Sequence, residues 1–571
     1  MSKSKWYRTN YPIWILSLLF LALLGKSLIG MVSADEGFYL ANVQRFLQGD
    51  RLFLDDWHVG SMGSLLSTPL YLLYKGVTGS TDGIYLFFRI CYVCTMFVLS
   101  LVIYKSLSNG IGRFYALVLA STFLLYAKSS IGTFSYNTIS YVCLWIACMI
   151  MYLSIEGTWS YKKETCLFVI SGLCYSVSVF MMPTLILLVI LIPYLFAIKV
   201  MNGRRFLLFI GGGGIALGIF LLYVISMDTT IAQFIQAIPN LLTMDTYGSN
   251  RNYLADLINI PIIIGQELGN WCIRYLILLT LTIIACIVRK TKDVPQFLIF
   301  GLFGMHILFL FFHVQMYTGR LGGESVGMHF IPFTLFGIAV LLLLQEKISH
   351  TVLMWYIIGA VSMVAFYYGS NTGIHAVSSG ASISFVGVVL TLRLFALENK
   401  VWYPKLTTIA VGCPIIVLLV ITAYCRLTYF YKDDAFLVEA HSTIVQGPAT
   451  GITTTVSKAQ DYNEIYEDII SQVSKGDSFI IFPGMPMAYL FTQATCASYT
   501  TWPVAIDDER LMEYLEVREQ KPSVVYIIGE EDVFSEMKYE SREFLDLLES
   551  DEYVKIQGQA GTFYEQIEMT E

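Results

Sequence analysis

Two neighbouring carboxylates, Asp35 and Glu36, follow the first long apolar run of the chain within about one helical turn. A second acidic pair, Asp55-Asp56, lies in the same polar stretch and runs straight into Trp57-His58. A carboxylate at a membrane–water boundary is costly unless it is paired or solvated, so its position carries information. Within hydrogen-bond reach of a hydroxyl or amine, such a carboxylate takes up a proton and turns a poor nucleophile into a competent one. The plainer use of Asp35-Glu36 is to stop a helix and meet water. For Trp57 and His58 the plainer use is anchoring at the interface.

These residues sit in a chain built for lipid. Of 571 residues, 56% are hydrophobic and 14% charged, with a mean hydropathy of +0.63; soluble domains carry about a quarter charged residues. Between Tyr11 and Tyr424 the charges fall in short clusters separating apolar runs. A crossing needs roughly 20 apolar residues. The pattern predicts spans near 12–32, 83–104, 111–127, 138–155, 165–181, 183–199, 206–227, 271–288, 296–313, 329–345, 351–368, 381–397 and 406–424. That is about thirteen helices, with 1–424 a membrane domain and 425–571 a water-soluble α/β domain. The first run is too long for a signal-peptide core and reads as an uncleaved helix. The net charge of -7 comes from the acidic tail; no basic patch of the kind nucleic acid requires is present. Most cysteines, the Cys91/Cys94 pair included, lie inside apolar spans and read as core packing.

Lysine and arginine alternate between loops. Lys3, Lys5 and Arg8 share a side with Lys105 and Arg113, Lys162 and Lys163, Arg204 and Arg205, Arg289 and Lys290, Lys347, and Lys400 with Lys405. By the positive-inside rule that side is cytoplasmic, and the C-terminal domain is outside. Two loops on the outer side are long, 33–82 and 228–270, and both carry apolar residues at helical spacing. Such stretches lie in the interface plane, and their length on one face points to a site there.

Taken with Asp55-Asp56, the helix-rich first loop and the external domain, Asp35-Glu36 resembles the GT-C superfamily of glycosyltransferases, which includes protein O-mannosyltransferases and aminoarabinose transferases. The resemblance covers the whole chain in architecture and Ser33 to Leu70 in motif. It implies a polyprenyl-phosphate-linked sugar as donor and a glycan, lipid or protein acceptor at the outer membrane face. The sequence holds no N-x-Ser/Thr glycosylation signal, which points to a bacterial plasma membrane. It also implies Asp35 as the base, Glu36 as its orienter or alternate, Asp56 or Asp55 as a second acidic member, and Trp57 and His58 along the cleft. A leaving phosphate gains negative charge in the transition state and calls for preorganised cations. Lys128 and Arg320 are favoured for that role, with Arg89, Arg251, His313 and His329 also available. The plainer role for Arg89, inside the second span, is a structural pair with an acid.

The chain departs from the aminoarabinose transferases at Ser67-Thr68-Pro69-Leu70, which lacks their lysine before the proline, and it lacks the metal-binding Asp-x-Asp of oligosaccharyltransferases. No obligatory metal or other cofactor is expected, although Asp35, Asp55 and Asp56 would hold a divalent ion if they converged. Gly211 to Gly214 reads as close helix packing. In the tail, apolar runs at 478–482 and 523–528 read as buried strands of a largely parallel sheet, flanked by helices near 457–474, 506–519 and 538–549. The competing classes are a transporter or flippase of lipid-linked sugars, a polysaccharide polymerase or ligase, and an inactive scaffold.

Overall fold

The computed structural model describes residues 3–32, 34–156, 159–243, 270–289, 327–344, 349–370, 373–399, 404–429, 439–503, 509–519, 521–529 and 543–567, with 259, 262, 298 and 301–308. Among these residues, eight helices are long and apolar enough to cross a membrane. A helix satisfies its own backbone groups, which lipid cannot do, and these sequences are apolar on all sides.

The helices are α1 (Lys3–Ser27), α2 (Asp35–Leu47), α3 (Met62–Thr78), α4 (Ile84–Ile111), α5 (Arg113–Leu125), α6 (Tyr136–Glu156), α7 (Tyr161–Met181), α8 (Ile192–Ala197), α9 (Gly203–Ser226) and α10 (Ile231–Thr243). After these come α11 (Asn270–Arg289), α12 (Phe330–Leu344), α13 (His350–Tyr368), α14 (Val377–Asn399) and α15 (Pro404–Thr428). Helix α4 is bounded by Gly83 and Gly112, with φ of 76° and 91°. Both turns need the left-handed freedom that glycine has. Pro183 ends α7, and the chain continues as a 3₁₀ stretch, Pro183–Leu191, before α8, so the expected span at 183–199 is a broken one. Half of the expected span at 296–313 lies outside the described residues; 301–308 of it are helical.

Helices α7 and α9 meet at glycines. A Cβ on Gly172 would stand 1.8 Å from the Phe209 carbonyl oxygen, and one on Gly212 would stand 2.0 Å from that of Val169. Within the glycine run, Gly212 and Gly213 are packing surface, as the sequence suggested, while Gly211 and Gly214 face open space.

The first long loop folds as α2, a short 3₁₀ turn (Val59–Ser61) and α3. In the second, α10 packs Phe234 against Phe53 of the first loop, with ring centroids 5.5 Å apart.

The tail forms a hairpin, β1 (Ser442–Thr443) with β2 (Thr453–Thr454), and then a five-stranded sheet. Its strands are β3 (Ser478–Phe482), β4 (Thr495–Cys496), β5 (Val524–Ile528), β6 (Tyr553–Gln557) and β7 (Gly561–Gln566), in the order β4-β3-β5-β7-β6. Strand β3 runs parallel to β4 and β5, while β7 runs antiparallel to β5 and β6. The sheet is therefore mixed, not largely parallel. The outer hairpin escaped notice because β6 is mostly exposed, and a half-solvated strand lacks the continuous apolar run of a buried one.

The hairpin fastens this domain to the membrane helices. Gly30 N donates to Thr453 O at 2.9 Å, Thr453 N to Leu28 O at 2.8 Å and Gly83 N to Gly447 O at 3.1 Å. The end of α1, the start of α4 and the soluble domain thus share one face. A single apolar core joins Leu40 and Val43 of α2, Tyr85 and Phe88 of α4, and Ile481 and Tyr526 of the sheet.

Candidate functional site

Helix α2 opens with Asp35 and Glu36, where acidic side chains face the positive end of the helix. Successive residues diverge by about 100°, and the two carboxylates part accordingly. Asp35 is half-buried. It lies beside Tyr39, whose phenol is pushed up by burial, by Tyr136 and by the Asp35 charge. Glu36 is buried and turns to α4. Arg89 Nε donates to Glu36 Oε1 and Oε2 at 3.1 and 2.9 Å, and Arg89 Nη2 donates to Oε2 at 2.6 Å. Arg89 Nη1 also holds the Ser27 carbonyl at 3.1 Å. Arg89 is thus the acid-paired arginine of its plainer reading, and Glu36 is committed to it.

This pair forms one wall of a pocket enclosing about 470 Å³ of open space, lined also by Lys26, Ser130, Gly132, Arg426 and Tyr429. Lys26 donates to the Tyr429 carbonyl. Arg426 is buried at the end of α15; one guanidinium nitrogen donates to the Ser130 carbonyl, and its Nε is buried without a hydrogen-bond partner. Among the described residues, three cations line the pocket against one carboxylate, a net charge of +2. Lys26 and Arg426 were not foreseen. The available signal was a lone cation at the outer end of an apolar run, the criterion that did select Arg89.

Deeper along α4 lies an apolar pocket of about 620 Å³, lined by Leu66, Leu70, Tyr92, Met96, Phe134 and Ile139 among others. Both pockets are walled by α4 and by the segment joining α5 to α6.

Lys128 begins the turn that supplies Ser130, but its ammonium is buried against Asn137 Oδ1 at 3.0 Å and Ser370 Oγ at 2.6 Å. His329 Nε2 meets Thr422 Oγ1 at 2.9 Å. Arg251, His313 and Arg320 lie outside the described residues.

The second acidic pair does not face these pockets. Asp55 accepts from Arg51 Nε at 2.9 Å and pairs with Arg518 of the soluble domain at 2.5 Å. Burial pushes its carboxyl up, but the Arg51 hydrogen bonds and the Arg518 charge outweigh burial and hold it below the usual range. Asp56 is fully buried, 3.7 Å from Arg45, and burial raises it to about 6. Arg45 also binds Asp50 at 2.5 Å and the Tyr514 hydroxyl at 3.0 Å. These groups lock the loop to the soluble domain.

Trp57 is also displaced from its expected place on the cleft. It stacks on Tyr499 and meets Tyr514 edge-on at 5.3 Å, inside the core of the soluble domain. His58 is half-buried against Phe38 at 4.7 Å, its Nδ1 accepts from Gly60 N at 3.0 Å, and burial lowers its pKa to about 4. Phe38 in turn lies 6.1 Å from Trp502 of the soluble domain. Among the described residues, no group of three metal-ligating side chains converges.

No protein-family model and no curated protein matches the chain. Among solved structures, it aligns with the crystal structure of ArnT from Cupriavidus metallidurans bound to undecaprenyl phosphate. The alignment covers 100% of this chain and 99% of that one, at 12% identity and a TM-score of 0.44. A likeness of that size assigns no function.

Proposed function

We propose that the chain is a GT-C-type glycosyltransferase that moves a sugar from a polyprenyl-phosphate donor to an acceptor hydroxyl or amine. The observation that carries this reading is a cationic pocket and an apolar one, both walled by α4, with Asp35 next in sequence to the Glu36 that lines the first. A phosphate on a long hydrocarbon chain matches that sequence of surfaces.

In this reading the lipid chain follows the apolar pocket and the phosphate meets Arg426 and Lys26. The acceptor oxygen or nitrogen attacks the anomeric carbon. The bond from that carbon to the phosphate oxygen breaks, and its electron pair stays on the phosphate. The acceptor proton passes to Asp35. Arg426 and Lys26 stabilise the growing phosphate charge, and burial strengthens that effect. Glu36 serves by fixing Arg89, which anchors the end of α1 through the Ser27 carbonyl. The face bearing the soluble domain is the outer face of the plasma membrane, where lipid-linked sugars replace nucleotide sugars.

Binding of radiolabelled polyprenyl phosphate to purified protein tests the pocket. Arg426→Gln and Lys26→Gln are each expected to weaken binding by about tenfold or more, the loss of one charge-assisted contact. Binding unchanged in both variants overturns this placement of the phosphate.

A further inference from the structure

We infer a second lipid site at the opposite end of the helix bundle, built for a diacyl phospholipid with an anionic headgroup. A groove of about 1710 Å³ of open space lies where the end of α4, the start of α5, the end of α14 and the start of α15 come together. From Arg89 to Asn109, at the two ends of α4, the helix rise is about 30 Å, one hydrocarbon thickness. The groove therefore belongs to the other leaflet, and its occupant is distinct from the donor lipid.

The walls are apolar, with Phe114, Leu397, Ile409 and Ile416 facing the groove. Two glycines make it deep: a Cβ on Gly110 or on Gly412 would meet no atom within 4 Å. Arg393 stands half-buried at the rim, with one guanidinium nitrogen on the Gly110 carbonyl at 3.1 Å. Thr407 and Thr408 add hydroxyls on the facing helix. Arg113 and Lys405 are exposed at the first turns of α5 and α15. Among the described residues, the lining of the groove itself holds Arg393 and no carboxylate. An apolar groove capped by excess positive charge at a headgroup boundary selects an anionic lipid over a zwitterionic one, by about fivefold per basic residue near the surface.

The test is native mass spectrometry of the full-length protein, released from micelles after incubation with dioleoyl phosphatidylglycerol or dioleoyl phosphatidylcholine. Wild type is expected to retain one phosphatidylglycerol in preference. Gly412→Leu fills the groove without a clash and is expected to abolish that retention while melting at the wild-type temperature. Arg393→Gln is expected to cut the preference about fivefold. Equal retention of the two lipids by wild type overturns the inference. Retention unchanged in folded Gly412→Leu also overturns it, because the bound lipid then sits elsewhere, the donor pocket included. Arg426→Gln is expected to leave this retention intact, so this test and the donor-pocket test fail independently.

Discussion

Glu36→Gln separates two effects that a generic structural residue would not separate. Glu36 and Arg89 are 5% and 6% exposed at their side chains, and three hydrogen bonds join them. Glutamine keeps the shape but loses the charge and sets an amide N–H₂ against the guanidinium. Breaking a buried pair from one side leaves an uncompensated charge, which costs about 3–5 kcal/mol. The same change takes the pocket from +2 to +3, because Glu36 is its one carboxylate among three cations. Thermal stability should fall while polyprenyl-phosphate binding tightens. Adding Arg89→Met should recover most of the stability, since a neutral buried pair often costs nothing relative to an ionic one. Thermal unfolding in detergent and lipid-phosphate binding read the two effects separately. A Glu36→Gln variant that melts with wild type, or one that stays folded and binds the lipid phosphate more weakly, refutes the reasoning.

Asp56 gives a pH signature. Its folded pKa of about 6 exceeds the ordinary carboxylate value near 4. The folded state therefore holds its proton longer than the unfolded one, and stability is lost as pH rises from 4 through 6, by about 3 kcal/mol in full. Asp56→Asn should flatten that part of a melting-temperature profile; an identical slope in the variant would contradict the burial of Asp56. Arg518→Ala removes the inter-domain half of the Asp55 clamp and should cost about 1–3 kcal/mol, with faster proteolysis between the membrane and soluble domains; Asp55→Asn added to it should cost more, because Arg51 then loses its carboxylate as well. Gly212→Leu drives a side chain into the Val169 carbonyl and should destabilise by about 3 kcal/mol or more, whereas Gly214→Leu, whose Cβ meets nothing within 4 Å, should melt with wild type.

The apolar runs foretold most of the helices, because a span announces itself by length and composition alone. The Asp35-Glu36 position foretold where the first apolar run ends, because two carboxylates stop it; that a second helix, α2, opens at the same pair was not read from the sequence. What sequence order hides is pairing across distance. Glu36 and Arg89 are 53 positions apart, and Asp55 and Arg518 are 463 apart. Nothing in local spacing tells a committed carboxylate from a working one, so Asp55 read as one of two candidate acids while its pairing with Arg51 and Arg518 stayed hidden. Trp57 read as a cleft residue or an interfacial anchor, yet its partners Tyr499 and Tyr514 come from the far end of the chain. Arg426 passed as the end of a last span until Ser130 and Arg89 were placed around the same pocket.

The central claim is that Asp35 takes the acceptor proton in sugar transfer from a lipid phosphate. The direct measurement is transfer from a panel of polyprenyl-phosphate sugars by wild type and Asp35→Asn, which keeps the shape and loses the base. The account predicts transfer by wild type, reduced about a hundredfold or more in the variant, with polyprenyl-phosphate binding preserved. Transfer at the wild-type rate by Asp35→Asn would contradict it.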